Sequence, residues 1–252
     1  MRKSGHASDA GAPTVASALP ERILTAAAEL VAIHGPQKTT VAEIARAAGV
    51  GKGTAYLYWP SKEELLLALL AHETAAWIGC VRAEVVCDPE WLRLSRLAVL
   101  LLRSWRHELV ELIVSDVYLR RILTTHRDSR ETLDRSMPVE LCLRVLPLLR
   151  REGLMRDDAE MDVHEQAYVF NAVMTGFVVG KVTERADATV IDPDAALART
   201  IRQLLEPDTA PTRSQCERLL PEVLEVVDRA VANLEEMTYG AAAPERKGRA
   251  RG

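Results

Sequence analysis

Thr40–Leu65, TVAEIARAAGVGKGTAYLYWPSKEEL, is the stretch whose reading decides the fold. Thr40 and Glu43 have the T-x-x-E spacing of a capping box, in which a hydroxyl and a carboxylate each satisfy an amide left over at a helix start. Val41, Ile44, Ala45 and Ala48 then recur at helical spacing and supply one apolar face. Gly49 follows the last periodic residue, where the left-handed backbone that stops a helix is easiest for glycine. Val50 is expected to plug the turn. Gly51–Trp59 reads as the next helix, with Ala55 and Trp59 four apart and facing inward, and Gly53, Tyr56 and Leu57 facing away. Pro60 closes it. Ser61 and Glu64 form a second capping box that starts a further helix.

Two short helices around a Gly-Val-Gly corner are the layout of a helix-turn-helix, whose second helix can lie in the major groove of DNA. The plainer reading is an αα-hairpin, common in any helical protein. What separates the two is the outward face. A helix that only covers a core carries mixed charge on its outer side, whereas Lys52–Ser61 holds no acid, one glycine inside it with another just before, and two tyrosines. Small residues allow close approach to a phosphate, and lysine and tyrosine reach phosphates and base edges. Leu57 reads either as a contact for a thymine methyl or as an exposed leucine that needs no explanation.

On these residues the segment resembles the DNA-binding domain of the TetR family of transcriptional repressors, over about residues 20–66. Thr40-Val41, Ile44-Ala45, Ala48-Gly49-Val50, Gly53-Thr54, Tyr56 and Ser61–Leu65 carry the likeness. The resemblance implies base contacts from Lys52, Gly53 and Tyr56 and phosphate contacts from Thr40, Thr54, Tyr58 and Lys62. Tyr56 as a packing residue and Lys62 as an ordinary helix-start lysine are the plainer alternatives. Gly51 departs from the Ser or Thr usual in the family, which removes a side-chain cap. Trp59 replaces a usual Phe beside Ala55, where a larger apolar residue is common, so large beside small keeps the volume.

Composition agrees with an all-α chain. Of 252 residues, 48% are hydrophobic and only 4% aromatic, and glycine is scarce inside the periodic stretches. Net charge is −4, an unpromising total for a DNA binder, but it is unevenly spread: residues 1–62 hold 7 Lys/Arg against 4 Asp/Glu. A basic end on an acidic body suits a protein that meets DNA through one face. The absence of an 18-residue uncharged apolar run argues against a membrane span, and the small, polar start argues for a disordered arm rather than a signal peptide; the compartment implied is the cytoplasm. Cys80, Cys87, Cys142 and Cys216 lack metal spacing and are expected to be buried small hydrophobes. The six histidines are scattered, so no metal and no cofactor is expected, and no catalytic motif is found.

The expected organisation is a disordered arm over 1–18, a three-helix DNA-binding domain over 19–66, a helical ligand-binding and dimerisation domain over 67–239, and a basic, disordered tail over 240–252. The first helix is expected from Pro20 to Gly35, the connecting helix from Ser61 to about Val86, and a long helix from Asp157 to about Arg185. A monomeric head reads few base pairs, so a homodimer on a double-stranded palindromic operator is expected. Its interface is expected on Val163–Lys181 and Gln215–Met237, through Phe170, Phe177, Val223, Val227 and Val231; burial within one subunit is the alternative. The family resemblance further implies a small-molecule effector, with Trp77, Trp105, His107, Asn171 and Met174 as candidate cavity residues, each also readable as core. The function implied is a ligand-released repressor; the alternative is a DNA-binding regulator governed by protein partners.

Overall fold

The computed structural model describes residues 15–104, 122, 138–157, 161–182 and 192–239. Trp105, His107, the expected tail and most of the arm lie outside them. The described residues form helices and no strand. In chain order these are α1 (Val15–Lys38), α2 (Val41–Ala47), α3 (Lys52–Tyr58), α4 (Lys62–Cys87), a short 3-10 turn (Pro89–Leu92), α5 (Leu94–Ser104), α6 (Pro138–Arg151), α7 (Val163–Val182), α8 (Pro193–Leu205) and α9 (Arg213–Tyr239). The chain divides into two compact units with the boundary between Leu65 and Leu66, inside α4.

In the first unit α1 packs on α2 and α2 on α3. Ile23, Leu24, Ala27 and Val31 of α1, Val41 and Ile44 of α2, and Ala55 and Trp59 around α3 are buried. Val15–Ala18, expected within the arm, are already helical. The expected stop at Gly35-Pro36 is a kink instead: Gly35 takes φ 77, ψ 160 and one further turn runs on to Lys38. Thr39, 1% exposed, fastens this kink. Its Oγ1 lies in donor range of the carbonyls of Leu30 (3.2 Å) and Gly35 (2.9 Å), and its amide donates to Gly35 O at 3.3 Å, so one residue clasps both sides of the break.

In the second unit α5 packs against α8, and α7 touches α5, α6 and α8. The core runs through Leu92, Leu94, Leu149, Leu154, Phe170, Leu197 and Cys216, with Leu219 and Val223 of α9. Polar groups close the ends. Glu206, just past α8 and almost fully buried, accepts from the Ser95 amide at 2.6 Å and so caps α5. Asp162 accepts from the amides of His164 and Glu165 while Glu165 accepts from the Asp162 amide. That reciprocal cap starts α7 at Val163, six residues later than the expected Asp157.

One expectation about exposure is corrected. Cys80 and Cys87 are exposed and Cys142 is half-buried; only Cys216 is fully buried. α4 is long and apolar enough to cross a membrane by length and composition, with a mean hydropathy of 1.4 over its best window. Half of that window is buried inside the protein, where Leu65–Ala71 are all enclosed, so the apolar demand is met by the protein's own core.

Candidate functional site

The corner between α2 and α3 is built by local rules. Both halves of the Thr40/Glu43 capping box are formed: the Glu43 amide donates to Thr40 Oγ1 at 3.3 Å, and the Thr40 amide donates to the Glu43 carboxylate at 3.0 Å. Those contacts from Thr40 hold the Glu43 carboxyl below its ordinary range. At the other end Gly49 takes φ 68. The Val50 amide reaches Ala45 O at 2.9 Å and the Gly49 amide reaches Arg46 O at 3.1 Å, the pair of bonds that closes a Schellman stop. Val50, expected as a buried plug, is half-buried. Arg22 of α1 donates to Ala48 O at 2.6 Å and so ties the corner to the first helix. Arg22 and Thr39 carry no helical-face signal; Arg22 bonds to a carbonyl at the stop of α2 and Thr39 to carbonyls beside the kink of α1, which periodicity does not report.

α3 presents the expected two faces. Ala55 is 0% exposed, while Tyr56 and Leu57 are 39% and 79% exposed. Lys52 and Gly53 are exposed, and a Cβ built on Gly53 meets nothing within 4 Å. Lys52 Nζ stands 5.6 Å from the Tyr56 ring centre, within cation–π range, so the cation is carried over the exposed tyrosine. Gly51 caps α3 without a side-chain bond, as its departure from Ser or Thr implies. Thr54 and Tyr58 are half-buried, with the Tyr58 ring 5.7 Å from that of Trp59. Thr40 is exposed. Lys62 is placed differently from a free cation: its Nζ donates to Gln37 O at 2.8 Å, and burial lowers its pKa from the ordinary lysine value. The second capping box, Ser61 with Glu64, is formed with both bonds at 3.1 Å.

The second unit holds a cavity of about 740 Å3, its open mouth included. Among the described residues, Trp77, Ile78, Val81 and Val85 of α4 form one wall, and Leu97 and Leu101 of α5 adjoin them. Leu141, Cys142 and Val145 of α6 face Val223, Leu224 and Val227 of α9, with Phe170 of α7 beside them. Burial pushes the Cys142 thiol up to about 12, so it stays neutral. Trp77 Nε1 donates to Ser104 Oγ at 3.0 Å. Of the candidate cavity residues Trp77 is on the wall; Asn171 and Met174 are not among the lining residues. The Asn171 amide instead donates to Ala167 O at 2.9 Å, and Met174 is buried.

The residues expected at a partner face differ in burial within this chain. Phe170 and Val223 are buried within this chain and line the cavity, and Val227 lines it too, so their apolar surface is already committed. Phe177 and Val231 are half-buried. The face of α7 that lies open carries Tyr168, Ala172, Thr175 and Val179, four residues at helical spacing, with Tyr168 76% exposed.

Comparison with known proteins bears on the first unit. Residues 23–69 match the family model for bacterial regulatory proteins of the TetR family. The chain is 39% identical over 64 residues to the fatty acid metabolism regulator protein of Bacillus subtilis (strain 168), which is 25% of this chain and 33% of that protein. It is 44% identical over 55 residues to an uncharacterised HTH-type transcriptional regulator of Mycobacterium bovis, 22% of this chain and 29% of that one. The matches therefore span about a third of the length of these relatives. A solved protein of Saccharomonospora viridis, described as a transcriptional regulator in complex with choline, shares the fold with a TM-score of 0.54 at 21% identity, covering 75% of this chain and 98% of that one. Over residues 23–69 this chain is similar to the TetR family of bacterial regulatory proteins.

Proposed function

We propose that the chain is a DNA-binding transcriptional regulator, a repressor that leaves a palindromic operator when a small molecule binds its second unit. The observation that carries this reading is the outer face of α3, where Lys52, Gly53, Tyr56 and Leu57 are exposed on a helix without a single acid. Lys52, Gly53 and Tyr56 are assigned to base edges, with Leu57 against a thymine methyl. Thr40, Thr54 and Tyr58 are assigned to phosphates. Lys62 joins them by leaving Gln37 O, a bond that leaves the cation half-open to solvent. The working form is a homodimer in the cytoplasm, because one head reads too few base pairs to find a site alone and a two-fold pair reads half-sites roughly 34–36 Å apart. The open α7 face of Tyr168, Ala172, Thr175 and Val179 is the surface assigned to the partner copy, since it combines apolar and small residues without charge. The effector acts by binding the DNA-free form more tightly than the bound form, because a ligand shifts an equilibrium only by that difference.

The test is anisotropy titration of the full chain on a labelled duplex from its own upstream region. Tyr56→Ala and Lys52→Ala are each expected to weaken binding by about 10- to 100-fold, the cost of losing one base-edge contact, with melting temperature unchanged. Affinity should also fall steeply with salt, because phosphate contacts release counterions. Native affinity in both variants removes α3 from the interface and with it this function.

A further inference from the structure

We propose that the cavity of the second unit takes a neutral, largely hydrocarbon molecule, and that the Arg82–Asp228 ion pair at its rim is what keeps charged amphiphiles out. The proposal deepens the effector reading above and rests on the second unit being the sensing part.

The lining carries the ligand class. Of the residues on the cavity wall among those described, only Arg82 has an ionisable group that is charged at neutral pH. Trp77 has already given its single N–H to Ser104, whose own hydroxyl donates to Leu100 O at 2.6 Å. The Cys142 thiol is a weak polar group, which burial keeps protonated. An ion moved in among Val81, Val145, Phe170 and Val227 would lose its water and find no free partner among the described residues, and that costs several kcal/mol in the general case. Hydrocarbon pays no such penalty, and its transfer from water is favourable in proportion to the area covered.

Arg82 is the exception, and it is spent. Its side chain is 38% exposed, which puts it at the boundary between the cavity and water. It pairs through two nitrogens with the Asp228 carboxylate: Nη2 reaches Oδ2 at 3.1 Å and Nε pairs with Oδ1. The pair joins α4 to α9, and both helices contribute cavity walls. A ligand carboxylate at this rim meets a cation already neutralised, with a fixed negative charge beside it. A ligand ammonium meets a carboxylate already neutralised, with a fixed positive charge beside it. A neutral head group meets neither repulsion. Removing the charge of Asp228 while keeping its shape frees the guanidinium and turns the rim into a carboxylate site.

Displacement of the neutral fluorophore N-phenyl-1-naphthylamine from the full chain, at pH 7.5 and below micelle-forming concentrations, tests this without any DNA. On the native chain 1-dodecanol is expected to displace the probe at about tenfold lower concentration than dodecanoate or dodecylamine. In Asp228→Asn the gap between dodecanol and dodecanoate should close or invert, with dodecanol itself unchanged. Leu224→Trp, which fills the space from the α9 side, should abolish displacement by all three while circular dichroism and melting stay native; if that variant does not fold, Asp228→Asn alone decides. Dodecanoate matching dodecanol on the native chain, or an unaltered gap in Asp228→Asn, overturns the proposal. A chain that binds its operator but releases no probe to dodecanol overturns only the ligand assignment and leaves the regulator reading standing.

Discussion

The corner around Gly49 and the cavity between α4 and α9 are two ways of building a binding surface. At the corner every device is local: Thr40 answers to Glu43, Gly49 to Arg46, Val50 to Ala45, Ser61 to Glu64, all within five residues. Such contacts set the direction of a short helix with little help from a core, and α3 is left with polar side chains displayed outward. In the second unit the partners are distant in sequence. Val81, Val145 and Val227 meet around one space, and Arg82 finds Asp228 146 positions on. One surface is made by ending helices correctly; the other is made by leaving a hole between them.

The largest effect should therefore come from the packed part of the second unit, and the cavity wall should be nearly indifferent. Leu197, fully enclosed where α8 meets α5, is expected to cost about 2–5 kcal/mol on replacement by Ala, through lost transfer energy and the void left behind. Val227→Ala, on a wall that already faces empty space, should cost under about 1.5 kcal/mol. Urea unfolding of the two variants measures the contrast. Equal losses would mean that the space is filled in solution by the protein itself.

Gly49→Ala comes next and acts on the first unit. The new Cβ must adopt φ 68, at a cost of roughly 1–2 kcal/mol, and it meets Arg22 Nη2 at 3.2 Å, the atom that holds Ala48 O. Operator binding should fall with the melting of this unit, and hydrogen exchange at the Val50 amide should speed up. Thr40→Ala is smaller, about 1 kcal/mol, because one cap is lost while the Schellman stop at the far end of α2 stays. Thr40→Ser should restore stability. If it restores folding but not DNA affinity, the Thr40 methyl takes part in the phosphate contact.

How far each surface could be read in the sequence follows from the same contrast. Caps and stops are written in adjacent residues, so both capping boxes, the Gly49 turn and the inward pair Ala55/Trp59 were legible, as was an all-helical chain. At Gly35 the sequence misleads, because Gly-Pro signals an end, yet Thr39 bridges the break and another turn forms. Phe170 and Val223 show the limit. Apolar periodicity says that a helix has a buried side, but not whether its own chain or a second copy buries it. The sequence offers Asn171 as a cavity candidate, but its amide is used by its own helix, four residues back. No spacing rule reports a cavity, since a cavity is the absence of side chains from places fixed by five separate helices.

The smallest effect concerns acid. Asp162 is held below the ordinary carboxylate range by the Glu165 and His164 amides at the start of α7. Asp88 is lowered first by the Glu90 amide and then by Arg96, and Asp228 by Arg82. Glu43 is lowered by Thr40 in the first unit. Each group binds its proton more weakly folded than unfolded, so each contributes stability above the unfolded carboxylate range, near pH 4, and loses it as pH falls through its own lowered value. Stability should be flat with respect to these groups from pH 7 to about 5 and then decline. All four are at least partly open to water, so each contribution is small and screened by salt. Three of them serve the second unit and one the first, so the acid loss should be steeper for the second. Melting curves followed separately by amide exchange in α2 and in α7, stepped from pH 6 to 3, would read the two slopes. In Asp162→Asn the α7 slope should flatten while the α2 slope is unmoved; a parallel change in both would mean that the two units do not melt independently.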